Sequence, residues 1–287
     1  MKIAIIGTGR LGTSLGNALA RAGHEIVGLA DADLRAARRA RRIIGAGRAM
    51  KDPAAAAHSA EVVFLAVPDG ALPRVVEELR ADGMDMLGKT ILHTSGAEPA
   101  SRLAPLAGRG ASVGSMHPAQ SFPKPSMPAS HFRGVVFGLE GDPAAVKTAK
   151  SIVRDLGGHP IILTRKQKTL YHAACVLASN LFVPLFELAV ETMAAAGVPA
   201  REAKKALLPL VEGTLRNVKV LDAAEALTGP LARLDFGTVE RQLRALQRIP
   251  QAREAYRTIG LATLELLKKR GAAASSVKRL RALLEEK

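Results

Sequence analysis

The sequence predicts an α/β protein: a doubly wound, mostly parallel Rossmann sheet followed by an all-helical C-terminal domain. Three observations carry that prediction. A glycine-rich turn sits between a strand pattern and a helix pattern near the N-terminus. Apolar strand-like runs then alternate with helical periodicity as far as Leu163, as parallel strands covered on both faces do. Beyond Arg165 no strand pattern recurs. The expected domains are 1–165 for the dinucleotide-binding half and 166–287 for the helical half.

Ile3 to Ile6 is a short apolar run of strand type. Gly7-Thr8-Gly9-Arg10-Leu11-Gly12 follows at once, then a helical pattern from Leu11 to Arg21. A second strand, Glu25 to Ala30, ends at Asp31, nineteen residues after Gly12. Each part has a task in binding a dinucleotide. Gly7 permits the tight turn, Gly9 lets the backbone approach a pyrophosphate, and Gly12 lets helix and strand pack closely. Free N–H groups at the helix start hold the phosphate charge. Asp31 would accept hydrogen bonds from the adenosine ribose, which favours NAD. Arg35 or Arg38, one turn into the following basic helix, would instead pair with the 2′-phosphate of NADP. NAD or NADP is expected, with NAD preferred.

Val62 to Val67 reads as a buried strand closed by Pro68-Asp69. Val67 and Pro68 join the cofactor-binding set, because ligands of such sheets sit beyond the carboxyl ends of the strands. Leu72 to Arg80 is helical. Strands at Thr90 to His93, Ser112 to Met116 and Val135 to Leu139 follow, then a helix from Pro143 to Leu156 and a strand from His159 to Leu163. In the second half, Gln167 to Ala196 forms one long helix, nearly apolar from Ala173 to Ala189, with Pro184 predicting a kink. Further helices are expected at Ala200 to Val220, Phe236 to Leu246, Pro250 to Arg270 and Ser275 to Glu286.

Composition narrows the functional classes. A chain of 287 residues can bury two cores. It is 48% hydrophobic but has no run of eighteen apolar residues, which argues against a membrane span. The first strand begins at residue 2, leaving no room for a targeting peptide, so a cytoplasmic location is expected. Cys175 is the only cysteine, which excludes an intrachain disulfide. The seven histidines lack close ligand spacing, so no metal is expected. A net charge of +15 suits anionic partners, yet aromatic residues are only 3% and no groove-reading motif exists, so nucleic acid is not expected. A small anionic substrate fits better.

Polar residues that follow strands are the candidates for chemistry. Ser95 closes the strand at Thr90 to His93 and reads equally as a substrate-bonding hydroxyl or as a turn former. His117 stands in Gly114-Ser115-Met116-His117-Pro118, where imidazole can move a proton near neutral pH or simply fix the turn. His93, inside its strand, reads as structural. On the long helix His172, Cys175, Val176 and Ser179 share a face, with Lys168 one turn earlier and Asn180 about 80° round from His172. His172 is read as a proton donor with Asn180 and Ser179 orienting the substrate, or as part of a buried polar cluster without chemistry. Arg233, after a Gly-Pro turn, can grip a carboxylate or phosphate, with Asp235 to orient it.

Three stretches carry a family resemblance: Ser115-Met116-His117-Pro118 leading to Phe122, Tyr171-His172-Ala173-Ala174 leading to Ser179-Asn180, and Thr228-Gly229-Pro230-Leu231-Ala232-Arg233. They resemble proteins that join a Rossmann-like half to a helical domain of unknown function 2520, within the 6-phosphogluconate-dehydrogenase-like superfamily. That group includes ketopantoate and pyrroline-5-carboxylate reductases and prephenate dehydrogenases, in the last of which a similar histidine contacts the reacting hydroxyl. Its hydroxyacid dehydrogenases place a lysine and, four residues on, an asparagine in the long helix, a pair not found when His172 or Asn180 is aligned with it. The family pattern tends to have glycine where Leu234 stands. The resemblance implies hydride transfer between nicotinamide and a small carboxylate-bearing carbonyl, hydroxy or imine compound in the interdomain cleft, and a homodimer through the helical domain. The alternative is a non-catalytic NAD(P)-binding sensor.

Overall fold

The structure is a computed structural model describing residues 1–286. Its first half alternates as the apolar runs require: β1 (Lys2–Ile6), α1 (Arg10–Arg21), β2 (Glu25–Ala30), α2 (Leu34–Ile44), β3 (Arg48–Met50), α3 (Pro53–Ala57), β4 (Val62–Leu65), α4 (Leu72–Ala81), β5 (Thr90–His93), α5 (Ala104–Ala107), β6 (Ser112–Pro118), β7 (Val136–Gly141), α6 (Pro143–Asp155) and β8 (His159–Ile162). The strands form one sheet in the order β3-β2-β1-β4-β5-β6-β7-β8. All neighbours are parallel except β6 and β7. The strand order reverses between β1 and β4, and a crevice opens there at the carboxyl ends.

Register brings the polar residues to one rim. Ile6 pairs with Ala30 and Leu65, Leu65 with His93, and His93 with Ser115. Gly7, Asp31, Ala66, Thr94 and Met116 therefore all begin the carboxyl edge. Ile3, Ile5, Phe64 and Leu92 pack beneath α1 on one face, while Ile6, Val63, Leu65 and Ile91 pack under α3 and α4 on the other. A strap after β6 crosses α1: the Ser14 hydroxyl donates to Pro125 O (3.2 Å) and accepts from Met127 N–H (3.3 Å).

Three differences from the sequence reading matter. β3 is a three-residue edge strand containing an arginine, too short and polar for periodicity to reveal. Strand β6 runs two residues further than expected, so His117 lies on the strand, opposite Gly138. The long helix is three pieces: α7 (Arg165–Cys175), a π turn over Val176–Asn180, and α8 (Phe182–Ala195). Pro184 has no N–H to return to the Asn180 carbonyl, and the helix widens in the turn just before it.

The chain divides into two units, Met1–Ala178 and Ser179–Lys287, so α7 folds with the sheet. The second unit contains α8, α9 (Ala200–Val220), α10 (Ala223–Ala226), α11 (Gly229–Ala232), α12 (Phe236–Ala245), α13 (Pro250–Lys269) and α14 (Ala274–Glu285). Val239, Leu243, Leu264, Leu267, Leu280 and Leu284 form its core. The helical run Arg165–Ala195 has a mean hydropathy of 1.9 over its most apolar window and is long enough to cross a membrane. Its first third is instead tied to β5 and β6 by the side chains described next.

Candidate active site

The glycine turn has the shape of an anion cradle. Gly7 takes φ +93°, and a side chain there would strike the Ala66 carbonyl. Gly12 packs its Cα against the Gly7 carbonyl, so only glycine lets α1 begin so close to β1. No side chain caps α1, and a Cβ on Gly9 would meet nothing within 4 Å. The N–H groups around Arg10, Leu11 and Gly12 are thus left without side-chain partners at the positive end of the helix dipole. Thr13 closes the turn by donating from its hydroxyl to Thr8 O (2.8 Å). Beside it lies a cavity of 240 Å³ lined by Gly7, Gly9, Asp31, Lys51, Val67 and Pro68, with Arg74 on the same wall. Of the residues predicted to hold a dinucleotide, Gly7, Gly9, Asp31, Val67 and Pro68 line this one cavity, and Thr8, Arg10, Leu11 and Gly12 complete the turn at its edge.

Asp31 has a further role that spacing did not reveal. One of its oxygens accepts from Thr8 N–H (2.8 Å) and from the Thr8 hydroxyl (2.9 Å), and the other accepts from Asp33 N–H (3.0 Å). The carboxylate clamps the glycine turn to the end of β2, leaving at most one lone pair for a ribose.

A second cluster forms at the ends of β5 and β6. Ser115 and His117 project from the same face of β6, two residues apart, while Met116 enters the core on the other. Across the strand pair, a Cβ on Gly138 would lie 2.8 Å from Tyr171 Cζ; its absence makes room for the phenol. The Tyr171 hydroxyl meets His117 Nδ1 at 3.0 Å and the His117 carbonyl at 3.4 Å. With the phenol proton on Nδ1, the neutral ring carries its own proton on Nε2; turned to the carbonyl, the phenol accepts from Nδ1 and frees Nε2. Rotation of one O–H therefore selects which nitrogen is the base. Burial holds the Tyr171 phenol above its usual range, so it keeps that proton.

His172 stacks edge-on to His117, ring centroids 5.4 Å apart, and the backbone of Gly96 lies against both. A Cβ on Gly96 would sit 2.9 Å from His117 Nε2 and collide with His172. Burial, then the His172 and Lys168 charges, lower the His117 imidazole to about 4. His93 is 1% exposed, its Nδ1 accepts from Ser95 N–H (3.2 Å), and burial lowers it to about 3; it is a structural neutral histidine, as its position inside the strand implied. The Ser95 hydroxyl accepts from Ala97 N–H (3.2 Å) and Glu98 N–H (2.9 Å), which makes it the former of this turn with one proton left to donate.

The residue that sequence reasoning passed over is Lys168. It is 1% exposed, and its Nζ donates to Ser95 O (2.7 Å) and Ser115 Oγ (2.9 Å). A signal existed: Lys168 precedes His172 by four residues, the lysine–asparagine spacing with histidine in the asparagine's place.

The other candidates belong to the second unit. Ser179 and Asn180 are exposed on the π turn, where 100° per residue no longer applies, so the shared face drawn from His172 to Ser179 ends at Val176. Arg233 is exposed after α11. Asp235 does not orient it but caps α12, accepting from Thr238 N–H (3.1 Å), because an unpaired helical N–H is the nearer demand. Leu234 between them has φ +57°, the left-handed conformation that glycine adopts without strain. No group of three or more metal-binding side chains occurs among the described residues.

Comparison with known proteins agrees with this architecture. Residues 1–118 match a model described as a Rossmann-like domain, and residues 135–263 match the domain of unknown function DUF2520. No curated protein matches the chain. Among solved structures, protein TM1727 from Thermotoga maritima is 26% identical, with a TM-score of 0.72 over 94% of this chain and 100% of that one. A candidate NADP oxidoreductase, BF3122 from Bacteroides fragilis, is 24% identical, with a TM-score of 0.76 over 91% and 96%. A reductive aminase from Aspergillus terreus, solved with NADPH and ethyl-5-oxohexanoate, is 21% identical, with a TM-score of 0.62 over 99% and 92%. The last two share the fold.

Proposed function

From a chain that belongs to the proteins joining a Rossmann-like domain to a DUF2520 domain, we propose an NAD(P)-dependent oxidoreductase. It acts on a small carboxylate-bearing carbonyl, hydroxy or imine compound. One observation carries the reading: His117, oriented by Tyr171 and flanked by His172, stands on the same sheet rim as an uncapped glycine turn. A bound nicotinamide supplies or takes up the hydride. His117 Nε2 exchanges the accompanying proton, giving it to the oxygen or nitrogen of the reduced product and accepting it in the reverse direction. Tyr171 holds the ring in place and compensates at Nδ1. His172 borders the reacting position, and the remaining Ser95 proton serves substrate or carboxamide.

The phosphorylated dinucleotide is our choice of cofactor. The sequence put NAD first on the strength of Asp31, but three donors already engage that carboxylate. Lys51 and Arg74 line the same cavity; Arg74 is paired with Glu78 (2.7 Å), whereas Lys51 forms no ion pair among the described residues. A 2′-phosphate is favoured by such cations.

The helical unit supports a homodimer. Val183, Leu208, Leu210, Leu215 and Val218 are exposed on α8 and α9, beside an apolar groove of 1120 Å³, and apolar surface of this kind marks an interaction site. The catalytic reading is tested by His117→Ala. Turnover in a screen of keto acids and imines with reduced cofactor should fall by about 10²–10⁴-fold while dinucleotide affinity is unchanged. Near-normal turnover removes His117 from the reaction.

A further inference from the structure

Lys168 is a cation without a counter-ion in the interior of the first unit. Its Nζ is held by a carbonyl and a hydroxyl, and it forms no ion pair among the described residues. Glu140, Asp69 and Glu98 act on it only from a distance, and burial prevails, bringing the ammonium down to about 8. A buried ammonium of this kind is destabilising, and an apolar residue would pack the same space at less expense. Because the side chain is 1% exposed, it does not reach a substrate in this conformation. Whatever it does, it does through its neighbours.

Those neighbours converge on one ring. Ser115 is two residues before His117 on the same face of β6, and Ser95 O belongs to the residue before Gly96, whose backbone lies against His117 Nε2. We propose that Lys168 is a positioning residue for His117: it pins the Ser95–Gly96 turn and the Ser115 hydroxyl around that imidazole, and its charge opposes a second positive charge there. The groups that face His117 are Lys168, Tyr171 and His172 from α7 and His93 from β5. Glu98, from the turn after β5, and Glu140, opposite Ser115 on β7, act on Lys168. Of these, His172 and Lys168 act on the ring by charge, and Lys168 is the one whose ammonium is also fixed by hydrogen bonds to the Ser95 carbonyl and the Ser115 hydroxyl. His117 thereby stays neutral and able to accept a proton in the oxidative direction, while in the reductive direction its protonated form is a strong donor. The consequence for turnover rests on the oxidoreductase reading; the effect on the ring does not.

The test is a titration of histidine ring resonances by carbon-edited NMR, with the His117 signal identified by its loss in His117→Ala. In the unaltered protein its midpoint should fall near 4. Lys168→Met removes charge and hydrogen bonds, and Lys168→Gln keeps a donor but removes the charge. Both should raise the midpoint by about one pH unit. A folded variant of either kind with an unmoved midpoint overturns the proposal. Should neither variant fold, the unaltered chain still decides. Its His117 signal must show a second, smaller displacement centred near pH 8 as Lys168 ionises, and a signal with no such displacement is equally fatal. Turnover is not read at any stage, so a failure to bind dinucleotide would stand apart from this result.

Discussion

At the scale of single residues, the proton-carrying group is defined by its hydrogen bonds more than by its identity. His117 is one of seven histidines, and what distinguishes it is Tyr171 at Nδ1 and, beside Nε2, a glycine backbone with no side chain. Its lowered proton affinity sets the expected pH profile. Substrate reduction uses the imidazolium, so kcat/KM should climb as pH falls toward about 4; oxidation uses the neutral ring and should be level above pH 5–6. The reverse trend in both directions would assign the proton to another group. Folding is linked in the same sense. The charged ring is disfavoured in the native state, so stability is fully present above the unfolded value of 6.5 and is lost as pH falls through it toward about 4. Much of this site was legible: glycine turn, Asp31, His117 and His172 all follow from strand ends and spacing. Lys168 was passed over despite standing four residues before His172, because a lysine on an amphipathic helix is ordinarily a solvated residue, and its neighbours Ser95 and Ser115 show otherwise.

At the scale of elements, α7 was readable as helix from apolar periodicity, but its division at Val176–Asn180 was not. A proline marks where a helix is perturbed without saying whether it bends or widens, and the face assigned to Ser179 depended on that choice. The pairing of β6 with β7 was likewise hidden, since antiparallel register cannot be counted from one strand alone. That pairing puts Gly138 under the Tyr171 ring. Gly138→Ala should push the phenol away from His117 and reduce turnover by up to about tenfold, the worth of one hydrogen bond. Dinucleotide affinity should stay the same, since Gly138 is remote from the glycine turn. A variant with unchanged turnover would mean that the Tyr171 bond does not orient the ring.

At the scale of the whole molecule, alternation of strand and helix predicted the sheet, and the loss of strand patterning predicted the helical half. What covers the apolar helices of that half is a question of assembly, to which one chain's hydrophobic pattern gives no address. Light scattering on a sizing column should return twice the chain mass of 30.2 kDa. Leu210→Asp, at a side chain 66% exposed, should shift the protein to the monomer without lowering its helix content. A monomer in the unaltered protein contradicts the assembly.

The most direct test of the account is calorimetric titration with reduced dinucleotides of the unaltered chain and of Gly9→Val. The Gly9 position is open and its backbone unstrained, so the variant should fold normally. The account predicts saturable heat with the unaltered chain, stronger for NADPH than for NADH, and a loss of at least about tenfold in affinity when valine fills the cradle. No heat from any nicotinamide dinucleotide, or equal binding by Gly9→Val, would contradict it.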